Sequence, residues 1–343
     1  MAPRKSTDRI TIRTVAADAG VSVSAVSKVL RDAYGVSDSL RANVQASMAK
    51  LGYRPHAAAR GMRGQTYTLG VLLNDLRNPF TPDILDGVNT ALSRTQYQAL
   101  IGMGQAMVPI ETALVDAMVD RQMDGIIMIG PRLSSAGVAA VAARIPTVVI
   151  GHHEPEATLF DTVNNDDRLG AELVVKHFVE VGYRNIAMLS IEIPGAAGTI
   201  VSAQREHGYH AAMAAAGLSK YADVSYAPET GREIRTASKQ LLKSRNRPEA
   251  VFCWSDYFAF EFLSVAKELG LNMPNDLGVV GYDNSSFCDL VQNSLTSVDQ
   301  SGQLLGLQAA RLLIERIEGR DKAEHFVVTP RLVARATSRR TKT

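Results

Sequence analysis

The sequence of 343 residues predicts a small N-terminal all-α head and a larger α/β body of two doubly wound, parallel-sheet subdomains. Charge separates the two parts, because residues 1–64 contain eleven Lys and Arg against four Asp, a net +7. The remaining 26 basic and 31 acidic residues give the rest of the chain a net −5. Beyond residue 66, short apolar runs alternate with helical patterns over roughly 260 residues, which is typical of parallel sheets covered by helices.

The head begins with two short helices joined by a tight turn, in the stretch TIRTVAADAGVSVSAVSKVLRD. Thr11 is expected to cap the first helix, and Gly20 is expected to end it. Ser22 is expected to cap the second helix, and a third helix runs from the cap Ser37 to Gly52. Two helices separated by so short a turn predict a helix-turn-helix.

The outward face of the second helix combines short, hydroxyl-bearing and cationic side chains, namely Val23, Ser24, Ser27, Lys28 and Arg31. Short residues let a helix approach base edges closely, while hydroxyls and cations reach bases or phosphates. On charge alone, a solvated basic face is the alternative interpretation. Because the positive charge coincides with the helix-turn-helix pattern, the head is predicted to bind DNA.

The predicted strands of the body lie near 68–73, 98–102, 125–129, 147–150, 185–190, 223–226, 250–253 and 277–281. Helical patterns lie between them at 82–93, 110–121, 167–181, 204–216 and 256–269. Ligands of such folds bind beyond the carboxyl ends of the strands. The corresponding loops are 74–81, 151–154, 191–205, 254–257 and 282–286.

Composition excludes several classes of protein. Hydrophobic residues make up 46% of the chain and charged residues 21%, as in an ordinary globular protein. No run of 18 apolar residues predicts a transmembrane helix, and no apolar segment follows the basic N-terminus as in a signal peptide. Cys253 and Cys288 are the only cysteines, so disulfides do not organise the fold. We therefore expect a cytoplasmic protein without a membrane partner.

Motifs of catalysis and metal binding are missing. The sequence lacks GxSxG, GxxxxGK[ST] and a complete GxGxxG, since GMGQAM at 102–107 has no third glycine. The pairs His152–His153 and His207–His210 have no evident third ligand. We therefore expect neither an enzyme nor a metal or cofactor site.

The ordered segments resemble the lactose-repressor (LacI/GalR) family of bacterial transcription regulators across essentially the whole chain. TIRTVAADAGVSVSAVSKVL and LGYRPHAAARGMR are similar to the family's DNA-binding head and hinge. Segments including LLNDLRNPF, DGIIMIG, VNNDDRLGAELVVKHFVEVGYRNIAML, VFCWSD and GVVGYDN are similar to its periplasmic-binding-protein-like body. The resemblance implies a repressor that binds a pseudo-palindromic operator. It also implies a small-molecule effector, a sugar or sugar derivative, between two body lobes.

The resemblance also implies domain boundaries. The head would be 1–53 and the hinge 54–66. The N-terminal subdomain would be 67–163 plus about 301–328, and the C-terminal subdomain 164–293 plus about 329–343, with crossovers near 163, 294–300 and 328. Tetramers of the family carry a leucine-repeat tail, whereas this chain ends RLVARATSRRTKT without heptads, so a homodimer is expected.

The family's DNA contacts correspond here to the second-helix residues and also to Thr11, Ser22, Ser37, Tyr53, His56, Ala59 and Met62. Alanines favour a helix in the hinge, but Pro55, Gly61 and Gly64 oppose one. We expect this segment to become helical only on operator, with Met62 wedged into the minor groove as the family's leucine is.

The family's pocket contacts correspond to Asp75, Asn78, Phe80, Arg205, Ser255, Asp256, Asp283 and Gln300. His152 and Trp254 are further candidates at positions where this chain departs from the family's usual residues. Asp256 is equally suited to capping the following helix. Trp254 is either a stacking platform for a ligand or a plug that narrows the pocket. Rival functions are a plain solute-binding protein, which has no use for the basic head, or an enzyme on the same scaffold.

Overall fold

The computed structural model describes residues 10–30, 33–53, 65–74, 76–193, 198 and 200–339. It comprises two compact units, Met1–Thr66 and Tyr67–Thr343. Within the described ranges, no helix is long and apolar enough to cross a lipid bilayer. In the same ranges, no three His, Cys, Asp or Glu side chains cluster as metal ligands would.

The head contains the three predicted helices, α1 (Ile12–Asp18), α2 (Val23–Leu30) and α3 (Asp38–Leu51). Its core is a small cluster of aliphatic side chains contributed by all three helices: Val15, Ala16, Ala19, Val26, Val29 and Val44. Burial of these side chains stabilises so short a segment, because isolated helices of this length are marginal in water.

Local capping sets the ends of the head helices. The Ser22 hydroxyl accepts a hydrogen bond from the Ala25 N–H at 3.0 Å, and Ser37 caps α3 in the same way at 3.3 Å. Gly20 and Gly52 follow α1 and α3 with φ of +66° and +63°, a left-handed conformation that costs glycine little. The predicted helix-turn-helix is therefore confirmed.

The first sheet of the body has six parallel strands in the order β11-β5-β4-β3-β1-β2. The strands are β1 (Thr68–Leu73), β2 (Gln98–Met103), β3 (Gly125–Ile129), β4 (Thr147–Ile150), β5 (Asp161–Asn165) and β11 (His325–Val328). The helices of this subdomain are α4 (Thr81–Leu92), α5 (Val108–Asp120), α6 (Ser135–Ala142) and α11 (Gly302–Ile317).

The second sheet has the order β12-β10-β9-β8-β6-β7, with only β12 antiparallel to its neighbour. The strands are β6 (Ile186–Ile191), β7 (Asp223–Ala227), β8 (Ala250–Cys253), β9 (Gly278–Asp283), β10 (Thr296–Asp299) and β12 (Arg331–Val333). The helices are α7 (Asp167–Glu180), α8 (Val201–Ala215), α9 (Gly231–Leu242) and α10 (Asp256–Glu268). The predicted pair of doubly wound parallel sheets is confirmed.

Strand β5 was not expected from apolar patterning, because its sequence DTVNN is mostly polar. All five residues are nevertheless buried, and most of their side-chain polar groups have hydrogen-bond partners in the fold. Asp161, for example, accepts hydrogen bonds from Arg316 at 2.7 Å and Arg320 at 2.8 Å. The chain consequently leaves the first sheet after Asn165, slightly beyond the crossover expected near 163.

The chain passes between the two sheets three times, after β5, after β10 and after β11. The second passage returns α11 to the first subdomain, where it packs directly on α4. Two glycines permit this close approach, because a Cβ at Gly87 would lie 2.0 Å from the Gln303 carbonyl oxygen. A Cβ at Gly306 would lie 1.9 Å from the carbonyl oxygen of Ile84. The passages bring the carboxyl ends of both sheets to one cleft.

Candidate functional sites

A cavity of about 150 Å³ lies in the cleft and is lined by both subdomains of the body. A cavity of about this volume accommodates a molecule the size of benzene. Apolar side chains form much of its wall, namely Phe80, Ile84, Ile129, Ile150, Val163, Trp254 and Leu305. Such a cavity fits one ring-sized ligand whose apolar faces pack against the wall.

Arg205 and Asp167 form a buried ion pair at the cavity. Asp167 begins α7 and Arg205 lies in the first turns of α8, and their side chains are 2% and 3% exposed. The Arg205 Nε donates to Asp167 Oδ1 at 2.8 Å, and its Nη1 donates to the Trp254 carbonyl oxygen at 2.6 Å. The guanidinium carbon lies 3.5 Å from the centroid of the Tyr282 ring, so the guanidinium stacks on that ring.

The second oxygen of Asp167 also has a partner. Oδ2 lies 2.8 Å from His153 Nε2, on the loop that follows β4 in the first subdomain. Burial raises the pKa of Asp167, but the charge of Arg205 and the hydrogen bond from His153 outweigh it. The pKa therefore lies below its ordinary value, and the carboxyl group is ionised at neutral pH.

Asp283 ends β9 with a φ of +115°, an uncommon conformation for a residue other than glycine. Its Oδ1 accepts a hydrogen bond from Gln300 Nε2 at 2.5 Å, while Oδ2 is buried without a partner at hydrogen-bonding geometry among the described residues. Burial and the charge of Asp256 raise the pKa of Asp283 well above its ordinary value, although Arg205 and the amides of Asn78 and Gln300 oppose that rise. Backbone strain at a buried polar residue is typical of a ligand-binding position.

Trp254 follows β8 and lines the cavity. Its ring packs edge-to-face on Phe258 at 5.7 Å between centroids, and the Arg205 guanidinium carbon lies 5.4 Å from its centroid. The indole Nε1 is buried and has no hydrogen-bond partner within the described chain. The indole thus supports Arg205 and has an unused hydrogen-bond donor.

Six of the predicted pocket residues line the cavity: Asn78, Phe80, Arg205, Trp254, Asp283 and Gln300. The structure brings these residues together from the first-strand loop, α8, the ends of β8 and β9, and the crossover after β10. Asp75 lies outside the described residues.

Ser255 and Asp256 do not line the cavity, contrary to expectation. The Ser255 hydroxyl caps α10. The carboxylate of Asp256 is fully buried and accepts hydrogen bonds from the Ser285 N–H at 2.7 Å and the Ser297 hydroxyl at 2.6 Å. The Cys288 thiol donates a third at 3.0 Å. Asp256 therefore joins β9, β10 and α10 within the second subdomain, and its acceptors are occupied.

His152 also lies behind the cavity wall. Its backbone N–H and carbonyl pair with the Asn164 amide at 2.9 Å, and its Nε2 lies 3.1 Å from the Ser135 hydroxyl. The ring is buried, and burial lowers its pKa. Its neighbour Gly151 lines the cavity instead.

Sequence reasoning missed several cavity residues that join the subdomains. Asn165 Nδ2 lies 2.5 Å from the Tyr282 hydroxyl, linking the end of β5 to β9. At the rim, Arg132 Nη2 lies 3.7 Å from Glu229 Oε2, which joins the loops after β3 and β7. The polar run VNNDDR at a strand end was the available signal for Asn165 and Asp167, since carboxyl ends of strands form the ligand edge.

The predicted DNA-reading face of α2 is exposed. Val23 is 42% exposed and Ser24 and Lys28 are exposed beside it, while Ser27 is partly buried. An exposed β-branched residue with small neighbours leaves room for close approach to base edges. The exposed caps Thr11, Ser22 and Ser37 place hydroxyls at the starts of the three head helices.

The remaining predicted DNA contacts differ in their surroundings. Tyr53 is partly buried and packs against the core of the head. Four lie outside the described residues: Arg31, His56, Ala59 and Met62.

Comparison with known proteins agrees with this arrangement. Residues 11–56 match the model of the bacterial regulatory proteins of the lacI family, and residues 175–338 match that of the periplasmic binding protein-like domain. The transcriptional repressor PurR of Salmonella arizonae is 30% identical over 334 residues, covering 95% of this chain and 96% of its own length.

Two solved structures are also similar. The transcriptional regulator CelR in complex with cellobiose is 28% identical, covers 96% of this chain and 100% of its own, and has a TM-score of 0.69. The lac repressor dimer bound to operator and the anti-inducer ONPF is 23% identical, with coverage of 96% and 99% and a TM-score of 0.80. At that identity, the second likeness shows the fold alone.

Proposed function

The chain belongs to the lacI family of bacterial regulatory proteins, and from this premise we propose that it is a cytoplasmic repressor that binds a pseudo-palindromic operator as a homodimer. A small carbohydrate in the body cavity changes its affinity for the operator. The related PurR of Salmonella arizonae and CelR are transcription regulators, in agreement with the missing catalytic motifs.

The exposed face of α2 is the observation that carries the DNA-binding proposal. Val23, Ser24 and Lys28 are accessible on one short helix of a unit whose first 64 residues carry a net +7. Positive charge attracts the phosphate backbone, and small side chains at the surface permit base contacts. A recognition helix in the major groove is the binding mode these features support.

The cavity supports control by a ligand, because both subdomains supply its walls and contact each other across it. The Asn165–Tyr282 and Arg132–Glu229 contacts join the two sides, so a ligand that fills the cavity favours one spacing of the subdomains. Aromatic and amide groups beside an apolar wall suit a sugar ring, which has hydroxyl edges and C–H faces. The cellobiose complex of the related CelR supports the same ligand class.

The edge strand β2 supports a homodimer. Leu100, Ile101 and Met103 are 47–53% exposed on this edge of the first sheet, an apolar surface that proteins normally cover. A second copy of the chain is the proposed partner, as in the lac repressor dimer of similar fold. Ile101→Lys should yield a monomer in light scattering, whereas Val327→Lys on the opposite edge strand should remain dimeric. Equal masses for both variants would contradict the proposed face.

Fluorescence anisotropy of labelled promoter DNA tests the main proposal. Wild-type protein should bind its own upstream region far more tightly than scrambled DNA, and Lys28→Ala should weaken that binding. A panel of sugars, polyols and purines should contain a compound that shifts the operator titration. Equal affinity for upstream and scrambled DNA would reject sequence-specific regulation.

A further inference from the structure

We infer that the cavity selects an uncharged, hydroxyl-bearing ligand of one ring, and that Asp167 is the residue that excludes phosphorylated and carboxylated compounds. This inference rests on the proposed ligand-controlled function and specifies the chemistry of the ligand.

Every cation that lines the cavity within the described residues already has a carboxylate partner. Arg205 pairs with Asp167 at 2.8 Å, and Arg132 pairs with Glu229 at 3.7 Å. Asp283 adds a further carboxyl group to the same wall. The wall therefore presents no uncompensated positive charge to a ligand, and an anion would lose its hydration without gaining a counterion.

The geometry of Arg205 reinforces this charge balance. Bidentate binding of a phosphate or carboxylate needs two parallel N–H groups at one edge of the guanidinium. Here Nε is directed at Asp167, Nη1 at the Trp254 carbonyl, and the plane is stacked on Tyr282. Nε and one N–H of Nη1 are therefore occupied and the face of the guanidinium is covered. The remaining N–H groups can donate to a ligand hydroxyl, whereas a ligand anion would compete with Asp167 for the same charge.

Asp167 is itself held in place. Its second oxygen lies 2.8 Å from His153, and its side chain is 2% exposed. To take Arg205 as its own counterion, a ligand anion would have to displace this carboxylate from both Arg205 and His153. Because the pair is buried, that exchange would leave a carboxylate without a partner, which is strongly unfavourable.

The unused polar atoms of the wall match hydroxyl groups. Asn165 Oδ1 and Asp283 Oδ2 are buried without hydrogen-bond partners among the described residues, and each of the two residues is 3% exposed to solvent. Trp254 Nε1 is a buried donor in the same condition. A ligand hydroxyl both donates and accepts, whereas a carboxylate or a fully ionised phosphoryl group only accepts and would face the Asn165 Oδ1 oxygen unfavourably.

Inorganic phosphate is the probe for the test, used with wild-type protein and two variants. Asp167→Asn removes the carboxylate beside Arg205. Asp166→Asn is the matched control, because it removes the same charge one residue earlier, at the cap of α7, where asparagine is equally suitable. Thermal shift and calorimetry in phosphate against chloride at equal ionic strength measure binding.

Wild type and Asp166→Asn should bind phosphate at least about 100-fold more weakly than Asp167→Asn, since only the last offers an unpaired buried guanidinium. Equal phosphate affinity of all three proteins overturns the inference. The inference is also overturned if the wild type binds phosphate with millimolar or tighter affinity and Arg205→Met abolishes that binding. The wild-type measurement stands even when Asp167→Asn fails to fold, and in that case absence of binding supports the inference.

Operator titrations separate this inference from the proposed function. In the pairs glucose and glucose 6-phosphate, and ribose and ribose 5-phosphate, only a neutral member should shift operator affinity. A shift caused by a phosphorylated member leaves the repressor function intact and rejects the neutral-ligand inference. Failure to bind any operator rejects the function, while the phosphate comparison still reports the charge preference of the cavity.

Discussion

Arg205→Met should destabilise the body strongly, because it leaves Asp167 buried without its main counterion. Both side chains are 3% exposed or less, and removing one partner from such a pair costs about 3–5 kcal/mol. His153 remains within hydrogen-bonding distance of Asp167, so we expect a loss near the lower end, about 3 kcal/mol at pH 7. Methionine keeps the length of the side chain, so little of this loss comes from packing.

The loss should depend on pH in a defined direction. In the wild type, the pKa of Asp167 is below its ordinary value, so the pair stabilises the fold at pH 7 and loses this effect only in acid. Without Arg205, we expect burial to outweigh the hydrogen bond from His153 and to raise the pKa of Asp167. The penalty should then be largest at pH 7 and shrink as pH falls toward 5.

Urea denaturation at pH 5 and 7 measures both effects. The double variant Arg205→Met/Asp167→Asn should recover at least about 1.5 kcal/mol relative to Arg205→Met alone, since no charge is then buried unpaired. Arg168→Met serves as control, because Arg168 is exposed and its removal should cost under about 1 kcal/mol. A loss below about 1 kcal/mol for Arg205→Met at pH 7, or no recovery in the double variant, would refute the reasoning.

Three further outcomes are expected. Asp283→Asn should weaken the ligand's effect on operator binding about tenfold or more while operator affinity without ligand is kept, because it changes a buried carboxyl group whose Oδ2 has no hydrogen-bond partner among the described residues. Parallel anisotropy titrations measure both affinities, and an unchanged ligand response contradicts the role. Gly306→Ala should destabilise the body by about 1–3 kcal/mol or more, since its Cβ would lie 1.9 Å from the Ile84 carbonyl oxygen. If the variant unfolded at the same urea concentration as the wild type, α4 and α11 would be free to move apart. Operator affinity should fall steeply with salt, with a logarithmic slope of about 0.9 per neutralised phosphate; a nearly flat plot would exclude the basic head as the binding surface.

The sequence was sufficient for features whose causes are local. Ser22 and Ser37 cap helices through their own hydroxyls, and Gly20 and Gly52 end helices because they adopt positive φ at little cost. The alternation of apolar strands with helices predicted the parallel sheets because it is also a local signal. The side-chain periodicity of a strand or a helix is set within a few residues. These signals do not require knowledge of distant partners.

Features that depend on distant partners required the tertiary structure. Strand β5 is polar, and its buried Asp161 is paired with Arg316 and Arg320, which lie 155 and 159 residues later in the chain. In sequence, Asp256 and Asp167 are both acids at the start of a helix. The family resemblance offered Asp256 as a ligand contact or, equally, as a helix cap, and did not offer Asp167. The fold surrounds Asp256 with donors from the loop after β9 and from β10, whereas it places Asp167 against Arg205 at the cavity. A buried carboxylate takes its role from the donors that reach it, and only the packing of elements distant in sequence decides which donors those are.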